Sequence, residues 1–594
     1  MPFGYHGRYL RINLSLESAE YVPLSDTVLR QFLGGAGLGV KLLLDEGAAQ
    51  IPPLAPDAAL VFAFSPLVGS PLTTSAKFAV VSKSPLTERI NDSLASSGFA
   101  VAGKGSGCDA IVIVGRAPQF SVLVIDGSDL GDGPDLADEL EAAPNKPNVR
   151  LESAAEYSGA TCRQTEAALK AQLGKGYRVA SIGPAGEHLV RYATISHEGR
   201  HAGRGGSGAV LGSKNIKAIA VRGKRRAQWA HPSELTAISK SLSKRSFGPA
   251  TAKYRELGTA TNLLTFNRFG ALPTRNFQSG TFAEAASLSP EELSTTRSKT
   301  RESCVNCTIG CEHIYSLGKS GVRVEYESLF ALGSLCGVSD ADAVLRASQR
   351  CDELGLDTIS TGGTIAFAME CVERGWIDEP WLAFGSGEAL LRAIDLIGSR
   401  HDLGNLLAEG SRRAAHAIGH NSIAFAPQVK GLEIPGYEPR ALQTMALGFA
   451  VGARGADHNR SGAYEVDFSD KVDRRHITLD AVRHAIDTED KAALMDSLII
   501  CKFLRGVFDD FYAEAAEMLE SVTGWDVSAH ELRETAKRIV AAKREFNLLA
   551  GWTLAEDTLP ERFLNTPLPN DLEASLSRER LDDLVAEYHR QRAW

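Results

Sequence analysis

The chain divides by the rhythm of its apolar residues. Up to about residue 210, short branched apolar runs alternate with Gly and Pro: AALVFAFSPLVGSPLTT, KFAVVSKSPLT, CDAIVIVGRAP, YRVASIGPAGE and IKAIAVRG. Such runs, bounded by turn formers, predict β-strands. Beyond about residue 225, apolar residues recur at i, i+3, i+4 and i+7. The segments are DAVLRASQRCDELG, AEGSRRAAHAIG, LDAVRHAIDTEDKAALMDSLIICKFL, DDFYAEAAEMLESV and SAHELRETAKRIVAAKREFNLLA. That period predicts amphipathic helices. The expected fold class is α+β, with a β-rich N-terminal domain at 1–212 and two mostly α-helical domains at 213–425 and 426–594. No internal repeat or low-complexity linker interrupts the pattern.

Composition refines this picture only a little. Of 594 residues, 44% are hydrophobic and 23% charged, which is ordinary for a globular protein with large cores. The net charge of −9 disfavours nucleic acid, whose phosphates need a basic surface. The N-terminus, MPFGYHGRYLRINL, lacks a basic segment followed by an apolar one, and the apolar stretch at 58–69 is too short to span a bilayer. The expectation is a cytoplasmic protein without a membrane span.

Three Gly-rich patterns fail their own structural conditions. Gly203 to Gly208 satisfies G-x-G-x-x-G, but the segment where a dinucleotide site needs an acidic residue reads VRGKRRAQW. GFAVAGK at 98–104 is followed by Gly105, where a P-loop needs Ser or Thr. His197-Glu198-Gly199-Arg200-His201 is H-E-x-x-H, yet five glycines from 199 to 208 make the helix a zinc protease requires very costly. Tight Gly turns beside Arg200 and Arg204 do predict an anion-binding surface, suited to a ligand carrying phosphates.

Nine cysteines in a chain this long are not a disulfide framework. Cys108, Cys162, Cys336, Cys351 and Cys371 are scattered and read as small buried hydrophobes. Cys304, Cys307 and Cys311 form C-x-x-C-x-x-x-C, three thiols that can reach one inorganic core. Spacing leaves two occupants open. Zinc would take His313 as a fourth ligand, and a [4Fe–4S] cluster would want a fourth cysteine, with Cys501 far along the chain.

Over nearly its whole length the chain resembles the tungsten-dependent aldehyde:ferredoxin oxidoreductases. Ten blocks match in order: FLGGAGLGVKLLLDE, SKSPLT, SIGPAGEHLVRYATIS, AGRGGSGAVLGSKNIKAIAV, LPTRNFQSGTF, CVNCTIGC, EYESLFALGSLCGV, DELGLDTIS, VKGLEIPGYEPRALQTMALGFAVGARGADH and DSLIICKF. The resemblance implies a two-sheet N-terminal base carrying a tungsten or molybdenum bis-pyranopterin, followed by two helical domains. It implies that Cys501, five residues after Asp496, completes the [4Fe–4S] ligands with Cys304, Cys307 and Cys311. Asp352 and Asp496 match residues that hydrogen-bond the pterins, adjoined by Leu356, Asp357, Ile500 and Lys502. Arg200, His201, Ala202, Gly203 and Arg204 match a loop that grips pterin phosphates. Arg454, Gly455 and Arg460 match pterin contacts bracketing the active-site His458, whose acidic partner is Glu327.

The implied activity is oxidation of an aldehyde to the acid with water, electrons leaving through the cluster to ferredoxin or an iron–sulfur partner subunit. The carboxylate would accept a proton and the histidine would hydrogen-bond the carbonyl oxygen. Two positions depart from the family pattern. Lys77 stands where an arginine is usual, keeping the charge but losing the bidentate fork. Leu94-Ala95-Ser96 replaces the usual magnesium-ligating stretch, leaving Ser93 or Asp92 to hold an Mg²⁺ bridging the pterin phosphates. Two other functions stay open: reduction of an aryl-CoA thioester, and non-catalytic electron transfer. Tungsten against molybdenum, the substrate, and monomer against homodimer are not legible.

Overall fold

The computed structural model describes residues 3–130 and 147–594. All five apolar runs contain strands, and they supply five of the twelve strands of two six-stranded sheets. Across the first sheet the order is β2 (Ser18–Pro23), β1 (Arg8–Asn13), β6 (Ala110–Val114), β3 (Leu60–Ala63), β4 (Lys77–Lys83) and β5 (Ile90–Ser96). The second runs β11 (Arg200–Ala202), β10 (Ile195–His197), β9 (Arg178–Ser181), β12 (Ile216–Arg222), β7 (Ser121–Asp126) and β8 (Val149–Ser153). Pairing is antiparallel except for β1 with β6 and β7 with β12. Because β12 lies inside the second sheet, between β9 and β7, that sheet extends past residue 212.

Two cores explain why these strands read as unbroken apolar runs. Leu60, Phe62, Phe78, Val80, Ile111 and Ile113 face Leu123, Ile125, Ala180, Ile219 and Val221 across the inter-sheet core. The other face of the first sheet, Val61, Ala79, Val81 and Val112, packs against helices α1 (Gly35–Asp45) and α5 (Ala529–Leu549). A sheet covered on both faces has no polar alternation to display.

α1 also meets the end of α4 (Asp480–Leu498) at very short range. At Gly35, with φ +43°, a Cβ would fall 2.3 Å from the Asp496 carbonyl oxygen, and the Gly37 N–H donates to Ser497 Oγ at 3.0 Å. The glycines of FLGGAGLG therefore let the sheet unit dock on the helix end that carries Asp496.

The expected helices form at α3 (Ala341–Leu354), α4 and α5, and at 511–523. Two features depart from the helical expectation. α4 stops at Leu498, where Ile499 turns left-handed at φ +66°, so IICKFL leaves the helix. A three-stranded sheet, β13 (Lys299–Glu302), β14 (Glu312–Leu317) and β15 (Ser320–Val324), interrupts the middle of the chain. Helix α2 (Gly98–Lys104), whose Lys104 Nζ donates to the Gly4 and Ser65 carbonyls, stands in place of a phosphate loop. The H-E-x-x-H residues lie in the β10–β11 hairpin. Among the described residues, no helix is long and apolar enough to cross a membrane.

Candidate active site and redox centre

A cavity of about 920 Å³ opens where β5 and β11 meet the helical units. Its wall gathers Lys77, Ser93, Leu94, Ser96, Arg200, His201, Gly203 and Arg204 from the sheets. From the helical part come Cys304, Cys311, Glu327, Asp352, Leu356, Asp357, Arg454, His458, Arg460, Asp496, Cys501 and Lys502. Four expected site residues stand off this wall. Ala202 is buried in β11, paired with Ile195, so residues 200–202 are strand rather than loop. Ile500 and Cys307 pack into the apolar cluster behind the wall. Gly455, at φ +95°, lies so near Val429 that a Cβ would come within 2.4 Å of its carbonyl oxygen.

Cations dominate one side. Arg454 donates to the Asp92 carbonyl at 2.8 Å, to Asn91 Oδ1 at 2.8 Å and to the Arg204 carbonyl at 2.9 Å, tying β5 to the Gly-rich turn. Arg204 donates to the Ala456 carbonyl at 2.6 Å and faces Asp357 at 3.6 Å. Asp92 is enclosed by Lys543 at 2.7 Å, Arg460 at 3.2 Å and Arg454 at 3.8 Å. Burial alone would raise its pKa, but those three cations hold it well below the usual carboxylate range. The Ser93 hydroxyl donates to the Arg204 carbonyl at 2.7 Å. Both side chains expected to hold magnesium are thus engaged with protein groups, and Leu94 supplies no ligand.

Asp352 lies in the last turn of α3, before left-handed Gly355, and faces His201 at 3.4 Å and Arg323 at 3.7 Å. Asp357 caps the next helix, accepting from Ile359 and Ser360 N–H. Asp496 pairs with Lys502 at 2.9 Å and Arg460 at 3.3 Å. Arg200 pairs with Glu312 of β14.

Cys307, Cys311 and Cys501 border one apolar cluster, and Cys304 lines the adjoining cavity with Cys311 and Cys501. Cys304, Cys307 and Cys311 lie on the β13–β14 connection, and Cys501 arrives from the end of α4, its N–H donating to Thr74 Oγ1 at 3.3 Å. Burial, and then the neighbouring thiols, push Cys307 up to about 11 and raise Cys311 likewise. Those mutual effects reach from Cys501 to the trio, a link that sequence spacing alone leaves open. Among the described residues, no three His, Cys, Asp or Glu side chains converge tightly enough for a single metal ion. His313 turns its Nε2 to the Tyr254 carbonyl at 3.2 Å. Lys77 lies between the thiols and Asp496. Burial opposes its charge, but Cys501, Cys304, Asp496 and Cys307 outweigh that and raise its pKa.

Glu327 and His458 face each other across 3.6 Å, from the helix Tyr326–Leu332 and from a short turn capped by Asp457. Glu327 Oε2 accepts the Gly436 N–H at 3.0 Å, while Oε1 has no hydrogen-bond partner. Burial pushes its carboxyl up to about 8, against the pull of Gly436 and Arg204. Burial, aided by Arg204, Arg505 and Arg460, pushes His458 down to about 3 despite Asp457. At neutral pH the histidine is therefore uncharged. Asn459 Nδ2 stands 2.9 Å from His458 Nε2 and can only donate, which leaves the ring proton on an unpartnered Nδ1. Tyr437 stacks on the imidazole at 4.9 Å.

Sequence reasoning missed Glu312, Arg323, Tyr437, Asn459 and Lys543. Tyr437 lies in the matched GYEPR segment and Asn459 directly follows ADH, so both were within reach. Lys543 sits on a helix face that looks like ordinary surface charge.

Comparison with known proteins matches this geometry to a family. The family model described as aldehyde ferredoxin oxidoreductase, N-terminal domain, matches residues 9–223, and the one for domains 2 and 3 matches 236–594. The tungsten-containing aldehyde ferredoxin oxidoreductase of Thermococcus kodakarensis is 36% identical, covering 100% of this chain and 96% of the relative. That of Pyrococcus furiosus is 35% identical over the same shares. In fold, the chain matches the active-site complex BamBC of benzoyl coenzyme A reductase, with a TM-score of 0.82, 22% identity, and coverage of 100% and 95%. Matched by both domain models and by relatives along its whole length, the chain belongs to the aldehyde ferredoxin oxidoreductase family and is an oxidoreductase.

Proposed function

We propose that this protein oxidises an aldehyde to the carboxylic acid, RCHO + H₂O giving RCOOH with two protons and two electrons. The observation that carries this is the Glu327–His458 pair, opposite in protonation bias and set in a cavity lined also by Cys304, Cys311 and Cys501. A tungsten or molybdenum bis-pyranopterin would supply the two-electron acceptor, and a [4Fe–4S] cluster the one-electron path to ferredoxin or an iron–sulfur partner. The cavity fits a large anionic group. Arg204 and Arg454 each keep a buried Nε without a hydrogen-bond partner, and Lys77 and Lys502 line the wall beside them. Arg204, Arg454 and Arg460 would hold phosphates, and Asp352 and Asp496 would accept from the pterin rings. The thiols suit a four-iron core better than zinc, whose bonds of about 2.3 Å demand closer convergence.

The protein's own part is positional and acid–base. His458 Nδ1–H offers a hydrogen bond to the aldehyde oxygen as it gains charge. The ionised form of Glu327 accepts the proton of the attacking water. Stacking on Tyr437 and the Asn459 hydrogen bond fix the imidazole plane and tautomer.

The test is elemental and pterin analysis of anaerobically purified protein, followed by acetaldehyde-dependent viologen reduction and, in parallel, reduction of an aryl-CoA thioester. Tungsten or molybdenum with pterin, iron near four per chain, and aldehyde turnover are expected. Iron without tungsten, molybdenum or pterin, or thioester turnover in place of aldehyde turnover, would overturn it.

A further inference from the structure

A run of aromatic rings leads from the surface to the His458–Glu327 pair. Phe269 and Phe468 are each 40% exposed, with centroids 5.7 Å apart. Phe468 meets Phe266 at 5.4 Å, Phe266 meets Tyr437 at 5.2 Å, and Tyr437 stacks on His458 at 4.9 Å. Phe266 and Tyr437 are buried in the hydrophobic core, yet with Tyr464 and Phe468 they also line the cavity, so the core presents an aromatic edge to that space. The cation beside them, Arg505, is already held by Glu465 and by the Tyr464 hydroxyl at 3.0 Å.

We infer that this aromatic wall is the subsite for the aldehyde's side chain, and that it selects aryl and arylalkyl aldehydes over saturated ones of equal size. The inference rests on the aldehyde-oxidising reading above. A phenyl group and a cyclohexyl group shed similar apolar area. Only the phenyl ring can align its quadrupole, edge to face or offset, with Phe266, Phe468 and Tyr437. Contacts of that kind make the aryl substrate about three- to tenfold better.

The experiment compares kcat/KM for phenylacetaldehyde, cyclohexylacetaldehyde and acetaldehyde in the holoenzyme and in its Phe468→Leu and Phe266→Leu variants. In the parent, the phenyl-to-cyclohexyl ratio is expected at about three to ten. Phe468→Leu, at a half-exposed position that spares the fold, brings the ratio towards one through KM. Calorimetric binding of 2-phenylethanol against 2-cyclohexylethanol reads the same preference without turnover. A parent ratio near one, or a ratio untouched by Phe468→Leu, overturns the inference. If acetaldehyde itself is not oxidised, the proposed function falls, and the alcohol pair still decides whether the subsite prefers aromatic rings.

Discussion

Replacing Glu327 by Gln, together with the pH profile of the parent, tests the acid–base assignment directly. Burial pushes the Glu327 carboxyl up to about 8, with Asp457 and Asp357 adding to it and Gly436 and Arg204 opposing. A group with that pKa is ionised in about one molecule in eleven at pH 7 and about ten in eleven at pH 9. Since the ionised form takes the proton, kcat/KM should climb close to tenfold between those values and then level off. His458, pushed down to about 3, stays neutral throughout and adds no second limb. Glutamine keeps an acceptor for the Gly436 N–H but cannot take a proton. The variant should therefore lose about 10²- to 10⁴-fold in kcat/KM and lose the rising limb. The assay is anaerobic viologen reduction with saturating and limiting acetaldehyde, on protein whose iron and tungsten contents match the parent's. A flat or falling parent profile, or a Gln variant that keeps the limb, would refute the reasoning.

Other outcomes follow from the same geometry. Cys501→Ser should abolish the reduced-cluster electron paramagnetic resonance signal while Cys371→Ala, a scattered buried thiol, leaves it intact. Lys77→Met removes a cation that answers Cys501, Cys304 and Asp496, so the cluster midpoint, read by redox titration, should fall by a few tens of millivolts. Gly455→Ala drives a Cβ against the Val429 carbonyl at a positive φ and should cost about 1–3 kcal/mol, seen as a lower Tm in thermal melts. Asp92→Asn strands Lys543, Arg460 and Arg454 and should cost about 3–5 kcal/mol in denaturant unfolding. Because the folded-state pKa of Asp92 is depressed, its contribution is complete above the unfolded value near 4 and fades only as the pH falls below it.

The central strands were legible because burial on both faces writes them as continuous apolar runs, visible in LVFA and AIVIV, whereas β2 and β8, partly exposed and polar, carry no such signal. The three-stranded sheet was hidden for the opposite reason. Lys299–Glu302 is exposed along its whole length and reads as charged loop, although the LGKSG turn between β14 and β15 was a hairpin signal. The three clustered cysteines were legible from spacing. The fourth was not, because the hinge at left-handed Ile499 that frees Cys501 from α4 leaves no mark in an apolar, helix-period sequence. Glu327 and His458 could be proposed only through family resemblance. Their opposed protonation biases come from burial, reinforced at His458 by Arg204 and Arg505, which local pattern cannot reveal.

Leu94 tests whether family pattern or local physics better describes this chain. A leucine at a magnesium-ligating position reads as damage. In the fold, Ser93 lines the wall with Asn91 and Asp92 buried beside it, and each is already engaged: Asn91 with Arg454, Asp92 with three cations and Ser93 with the Arg204 carbonyl. Beside them, Arg204, Arg454, Arg460, Lys77 and Lys502 line the wall, and Lys543 pairs with Asp92. Phosphates bound there would meet those protein cations, so the place of the ligand that Leu94 removes is taken by charge rather than by another oxygen ligand, while Asp92 keeps the buried cations from repelling one another before any anion binds.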